Sequence, residues 1–232
     1  MTTRRVKTAL IGLGRMGRTH AAALRNVAAL DVVAVVDPSP ASREAAEEFF
    51  PGVATFEHYS TAFHIAEACI VVSPTPLHPA IVREALSAGV HVLCEKPLSL
   101  DVDVARRLHD DAVASERVLQ IGHWRRFSPP WLRAKQLLDQ GAIGRPLWIR
   151  LSQWDANPPP AAFCDPTVSG GLAIDCGVLE AFANQAAVRG LARRIAGESV
   201  DVPDAHASAR STLIGHAVMQ SARRHQEVAI TT

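Results

Sequence analysis

Val6-Lys7-Thr8-Ala9-Leu10-Ile11-Gly12-Leu13-Gly14-Arg15-Met16-Gly17 decides how this chain folds. A short, mostly apolar run enters a Gly-x-Gly-x-x-Gly turn, and helix-forming sequence follows to about residue 27. The glycine spacing alone is weak, since any strand–turn–helix can carry incidental glycines. Its surroundings make it specific. A strand precedes it, a helix follows, and a second apolar run, Val32–Val36, ends at Asp37 about twenty residues on. In a dinucleotide-binding turn, Gly12 permits the tight bend and Gly14 lets the backbone approach a pyrophosphate. Gly17 allows close helix–strand packing, and Arg15 and Met16 open the helix whose N–H groups hold the phosphates. Asp37 would accept hydrogen bonds from the adenosine ribose and repel a 2′-phosphate, which favours NAD over NADP. The plainer reading of Asp37 is a turn residue before Pro38.

Outward from this unit, strands and helices alternate. After Asp37, Ser39 caps a helix running to about Phe50. Strands are expected at 53–56, 69–72, 90–94 and 118–121, and helices at 78–88 and 101–115. This alternation predicts an α/β fold, a doubly wound parallel sheet covered on both faces. Ala62–Ala68 is short for a helix and turn before the fourth strand. Beyond Gly122 the character changes. A helix over 130–140 is followed by Leu147–Trp154, whose alternation suits an antiparallel strand with one buried face. Proline-rich loop follows, and then mostly helix, ending in a helix over 204–225 with Leu213, Ile214, Ala217 and Val218 on one face. The expected division is a dinucleotide-binding domain at 1–122 and a mostly helical α+β region at 123–232.

Composition excludes several classes. With 232 residues and a net charge of +1, nothing draws the chain to nucleic acid or an anionic membrane. No apolar stretch is long enough to span a bilayer. The four cysteines show no Cys-x-x-Cys spacing, so they read as reduced thiols in a cytoplasmic protein. The histidines form no metal-ligand pattern, and no metal is expected.

The second informative stretch is Val90-His91-Val92-Leu93-Cys94-Glu95-Lys96-Pro97. A lysine near a strand end is usually just solvated. At the carboxyl end of a strand in the same sheet as the glycine turn, it reads instead as a group that stabilises developing alkoxide charge on a substrate. Ser73-Pro74-Thr75-Pro76-Leu77-His78 leaves the fourth strand at the same end. Ser73, Thr75 and His78 are expected near the cofactor, although such a stretch is often only a strand terminator.

These residues resemble the Gfo/Idh/MocA family, the glucose–fructose oxidoreductases and inositol dehydrogenases. The resemblance rests on Gly12–Gly17, Thr75-Pro76-Leu77-His78, Glu95-Lys96-Pro97 and Arg125-Arg126-Phe127. It is strong over 6–178 and recognisable again over about 180–230. It implies a Rossmann-type domain that binds NAD, with Glu95 and Lys96 at the cofactor. It also implies hydride transfer to or from a secondary alcohol or carbonyl of an inositol, sugar or related polyol, and association into homo-oligomers. Lys96 would hold the reacting oxygen. Gly170-Gly171-x-x-x-Asp175-x-Gly177 looks like the family's second motif, with Asp175 orienting or polarising.

The sequence departs from the family at one decisive point. The motif's histidine, the general acid/base, falls at 179, and this residue is leucine, which carries no proton. The family's second domain also holds a sheet of about six strands, needing on the order of sixty or more residues. Only 78 residues follow Trp154, and most read as helix or loop. An internal deletion joined near Val178–Glu180 is therefore expected, leaving a truncated C-terminal region. The alternative function is a catalytically inactive dinucleotide-binding protein. His123, just after the sixth strand, is a substitute base to weigh against a partly exposed loop histidine beside Trp124, and the loop reading is preferred.

Overall fold

The computed structural model describes residues 4–145, 165–170, 184–200 and 203–224. Six parallel strands are laid down in the order β3-β2-β1-β4-β5-β6. They are β1 Val6–Ile11, β2 Leu30–Val36, β3 Ala54–Phe56, β4 Ala68–Val71, β5 His91–Cys94 and β6 Leu119–Ile121. The order reverses between β1 and β4, which leaves a crevice at their carboxyl ends where ligands bind in open α/β sheets.

Side chains alternate across the sheet, except at Val33 and Ala34, which pack in the same core where β2 shifts register against β1. Leu10, Val35, Ile70 and Leu93 enter one core, while Ile11, Val36, Val71 and Cys94 enter the other. Continuous apolar runs are what a strand buried on both faces requires. The Leu10 face is covered by α1 (Arg15–Leu24), through Ala21 and Leu24. The opposite face is covered by α4 (His78–Ser87) and α5 (Val102–Ala114). Asp101 caps α5, accepting from the amides of Asp103 and Val104. The expected helix to Phe50 is shorter than read. It becomes α2 (Pro40–Glu44), capped by Ser39, and then a 3-10 turn over Ala45–Glu48. The short segment before β4 holds one turn, α3 (Tyr59–Ala62).

After β6 come a 3-10 turn (Trp124–Phe127), α6 (Pro129–Asp139) and α7 (Pro166–Ser169). The two last helices described are α8 (Asn184–Ile195) and α9 (Ala205–Arg224). Both return to the parallel sheet. Leu191 and Ala192 of α8 join Leu24 and Val27 in the first core, and Ala205 and Ala209 of α9 join Leu108 and Ala112 in the second. The core of the nucleotide-binding unit thus draws on residues from both sides of position 122. The Pro203 carbonyl accepts from Ile121 N–H at 2.8 Å, which covers part of the open edge of β6.

One face assignment needs correction. In α9 the buried side is made of small residues, Ala205, Ser208, Ala209, Thr212 and Ala217, whereas Ile214 is 49% exposed. The helix crosses α5 closely, and small side chains allow that approach. Leu147–Trp154, the Gly171–Gly177 portion of the second motif, Asp175 and Leu179 lie outside the described residues.

Candidate active site

The glycine turn is built as its spacing requires. Gly12 has φ +100°, and its N–H donates to the Val36 carbonyl at 2.7 Å. A Cβ at Gly12 would press on the Val72 carbonyl at 3.0 Å. A Cβ at Gly17 would run into the Gly12 carbonyl. Gly14 is the N-cap of α1. It makes no side-chain cap, the first turn holds no acidic residue, and nothing lies within 4 Å of an added Cβ. The first N–H groups of α1 are therefore presented to an anion without a competing carboxylate. Arg15 is exposed and Met16 half-buried on this turn.

Asp37 stands at the end of β2 and is 9% exposed. Its Oδ2 accepts from Leu13 N–H at 2.8 Å and its Oδ1 from Ser39 N–H at 2.9 Å. Each oxygen keeps a further lone pair for a ribose hydroxyl. Arg43 is turned to the backbone, donating to the carbonyls of Asp37 and Pro38 at 2.7 and 2.9 Å. Ser73 and Thr75 sit half-buried at the end of β4, and Ser73 Oγ is a buried hydroxyl without a partner among the described residues. An open helix N-terminus, a fixed carboxylate and an unspent hydroxyl around one crevice fit a dinucleotide.

Two residues expected at the cofactor are engaged elsewhere. His78 is 1% exposed, with Nδ1 2.8 Å from the Pro97 carbonyl and Nε2 2.8 Å from the Ser73 carbonyl. It ties two loops together rather than facing a ligand. Burial lowers its pKa, against the pull of the two carbonyls and Glu95. Glu95 is also buried. Its Oε1 accepts from His20 Nε2 at 2.7 Å and its Oε2 from Lys96 N–H at 3.1 Å. Burial acts to raise the Glu95 pKa, but His20 and Lys96 outweigh it and hold the carboxyl below its usual range. Lys96 itself is 9% exposed, an unusual burial for an ammonium and one that needs polar company.

Gly122 completes this corner. A Cβ there would meet the Glu95 carboxylate at 3.0–3.2 Å. We expect Gly122→Ala to displace that carboxylate from His20 and to cost about 1–2 kcal/mol. Urea denaturation measures this, and an unchanged midpoint would show that the carboxylate gives way freely.

His123 is buried, which corrects the expectation of a partly exposed loop side chain. Burial, with Arg126 nearby, lowers its pKa to about 4. Its Nε2 is enclosed and meets no partner among the described residues. A neutral, enclosed imidazole is poorly placed to exchange protons with a substrate. His20 is the neighbour of Glu95 that the sequence reading missed. Its only signal was its position in the first helix, one turn beyond Gly17. Cys69 and Cys94 are buried free thiols, and burial raises both pKa values. Among the described residues, no group of three or more His, Cys, Asp or Glu is placed to hold a metal ion.

Residues 6–123 match the family described as the Gfo/Idh/MocA oxidoreductase family, NAD-binding Rossmann fold. The chain belongs to this family. It is similar to the rhizopine catabolism protein MocA of Rhizobium meliloti, at 32% identity over 178 residues, covering 76% of this chain and 55% of that protein. It is also similar to the scyllo-inositol 2-dehydrogenase (NAD(+)) of Bacillus subtilis, at 31% identity over 179 residues, covering 75% and 51%. Among solved structures it resembles scyllo-inositol dehydrogenase from Lactobacillus casei with bound NAD(H) and scyllo-inositol. That likeness has a TM-score of 0.58 and 30% identity, and covers 61% of this chain and 43% of that one. The chain spans about half the length of the curated relatives it matches. The cofactor of this Gfo/Idh/MocA unit is NAD. No helix among the described residues is long and apolar enough to cross a membrane.

Proposed function

We propose that this chain binds NAD along the Gly12–Gly17 turn and Asp37, and transfers a hydride between the nicotinamide and a secondary alcohol or carbonyl of an inositol, sugar or related polyol. Ser73 and Thr75 line the cofactor, Lys96 holds the reacting oxygen, and Asp175 orients or polarises the substrate. The observation that carries this reading is the buried Lys96 at the end of β5, at the same sheet end as the glycine turn on β1. NAD supplies the hydride acceptor. The chain supplies a cation where alkoxide charge develops, in a setting with little water to screen it.

A second reading is favoured by Leu179 and by the enclosed His123: a protein that binds NAD without turnover. The chain then lacks a group to take the alcohol proton. Incubation with NAD and a panel of inositols and sugars, following reduced nicotinamide by absorbance, separates the two. Turnover of any substrate removes the inactive reading, and NADH binding without turnover removes the catalytic one. Absence of NADH binding removes both. In the same titration, Asp37→Ala is expected to weaken NADH binding about tenfold or more, through loss of the ribose contact and of the bonds to Leu13 and Ser39.

A further inference from the structure

The segment Glu95–Ser99 is buried along its whole length, yet it lies beyond the end of β5 and carries a lysine. Glu95 N–H still reaches the Val71 carbonyl at 2.9 Å, and beyond it the polar groups need side-chain partners. Three helices supply them. From α1, His20 donates to the Glu95 carboxylate, whose other oxygen accepts from Lys96 N–H. From α4, His78 engages the Pro97 carbonyl. From α9, Ser208 Oγ accepts from Leu98 N–H at 3.0 Å, and Thr212 Oγ1 donates to the Ser99 carbonyl at 3.1 Å. His20, His78, Ser208 and Thr212 are each 1% exposed. α1 lies on one face of the sheet, and α4 and α9 lie on the other.

We infer that His20, His78, Ser208 and Thr212 are positioning residues that set Lys96 by fixing the backbone on both sides of it. This rests on the reading of Lys96 as the group that holds the reacting oxygen. Its physical basis is that a lysine side chain has four rotatable bonds and little rigidity of its own. Placement to within a fraction of an ångström must come from the peptide that bears it. α9 then belongs to the site, although its partners are 110 and 113 residues away in sequence.

The chain has three lysines, Lys7, Lys96 and Lys135, so lysine labelled with carbon-13 at Cε yields three resonances. Loss of one signal in Lys96→Arg assigns it. Thr212→Val and Ser208→Ala remove the α9 contacts while keeping size. They are expected to move or broaden the Lys96 signal by more than its linewidth, leaving Lys7 and Lys135 in place. Thr212→Ser restores the hydroxyl and is expected to return the signal. His20→Gln keeps a donor near Nε2 and is expected to disturb Lys96 less than His20→Leu. Ala209→Gly in α9 is the control, since it destabilises the helix while leaving both hydroxyls in place, and the Lys96 signal is expected to stay. An unmoved Lys96 signal in folded Thr212→Val and Ser208→Ala would overturn the inference. So would an equal displacement in Ala209→Gly. The measurement uses neither cofactor nor substrate, so a failure of NAD binding or turnover leaves it readable.

Discussion

Gly17→Ala is expected to lower stability by about 2–4 kcal/mol and to weaken NADH binding at least about tenfold. The added methyl would enter the Gly12 carbonyl, and its next contact is the Gly12 carbonyl carbon at 2.9 Å. Neither side yields easily. Gly12 is fixed by its hydrogen bond to Val36 and by the close Val72 carbonyl, and Gly17 is a buried position within α1. Relief requires α1 to move away from β1, which withdraws the helix N-terminus from the phosphates and breaks the packing of Ala21 and Leu24. Fluorescence titration with NADH and thermal unfolding measure the two losses. An alanine variant with native affinity would mean that the α1 N-terminus does not hold the cofactor.

Acidification is expected to destabilise the protein between about pH 6.5 and pH 4 because of His123. The folded pKa is about 4 against an ordinary 6.5, so through this window the unfolded chain binds the proton and the native state refuses it. Stability is fully present above the unfolded value and is lost as pH falls towards the folded value. The full contribution is roughly 3 kcal/mol. Burial is the main cause, and Arg126 adds to it. The buried His78, whose pKa is also lowered, acts in the same sense, so the difference between parent and His123→Asn isolates the term. Urea midpoints at several pH values test it. Equal pH slopes in the two proteins would show that His123 is not the group responsible.

Both predictions concern residues whose importance was unequally legible in the sequence. Gly12, Gly14, Gly17 and Asp37 could be read because their contacts are local: a strand, a turn and a helix follow one another in the chain. The parallel, doubly wound sheet could be inferred for the same reason, whereas the strand order came from the structure. His20, Ser208 and Thr212 could not be read, because their partners lie 75 to 113 residues away. His78 is legible in the sequence only in part. A histidine in a loop beside a cofactor crevice resembles a ligand contact, and only packing shows that both its nitrogens are taken by carbonyls.

The sequence alone determined the doubly wound sheet, the glycine turn and the place of Lys96 just beyond a strand end, because periodicity and glycine spacing are properties of neighbouring residues. It also determined that leucine stands at 179. Tertiary structure alone decided that α8 and α9 close the two faces of the sheet, and that the Glu95–Ser99 segment hangs from side chains of three helices. The reason is physical. Backbone groups that leave a strand inside a core must be satisfied by whatever the fold brings near, and proximity of that kind has no periodic trace in the chain.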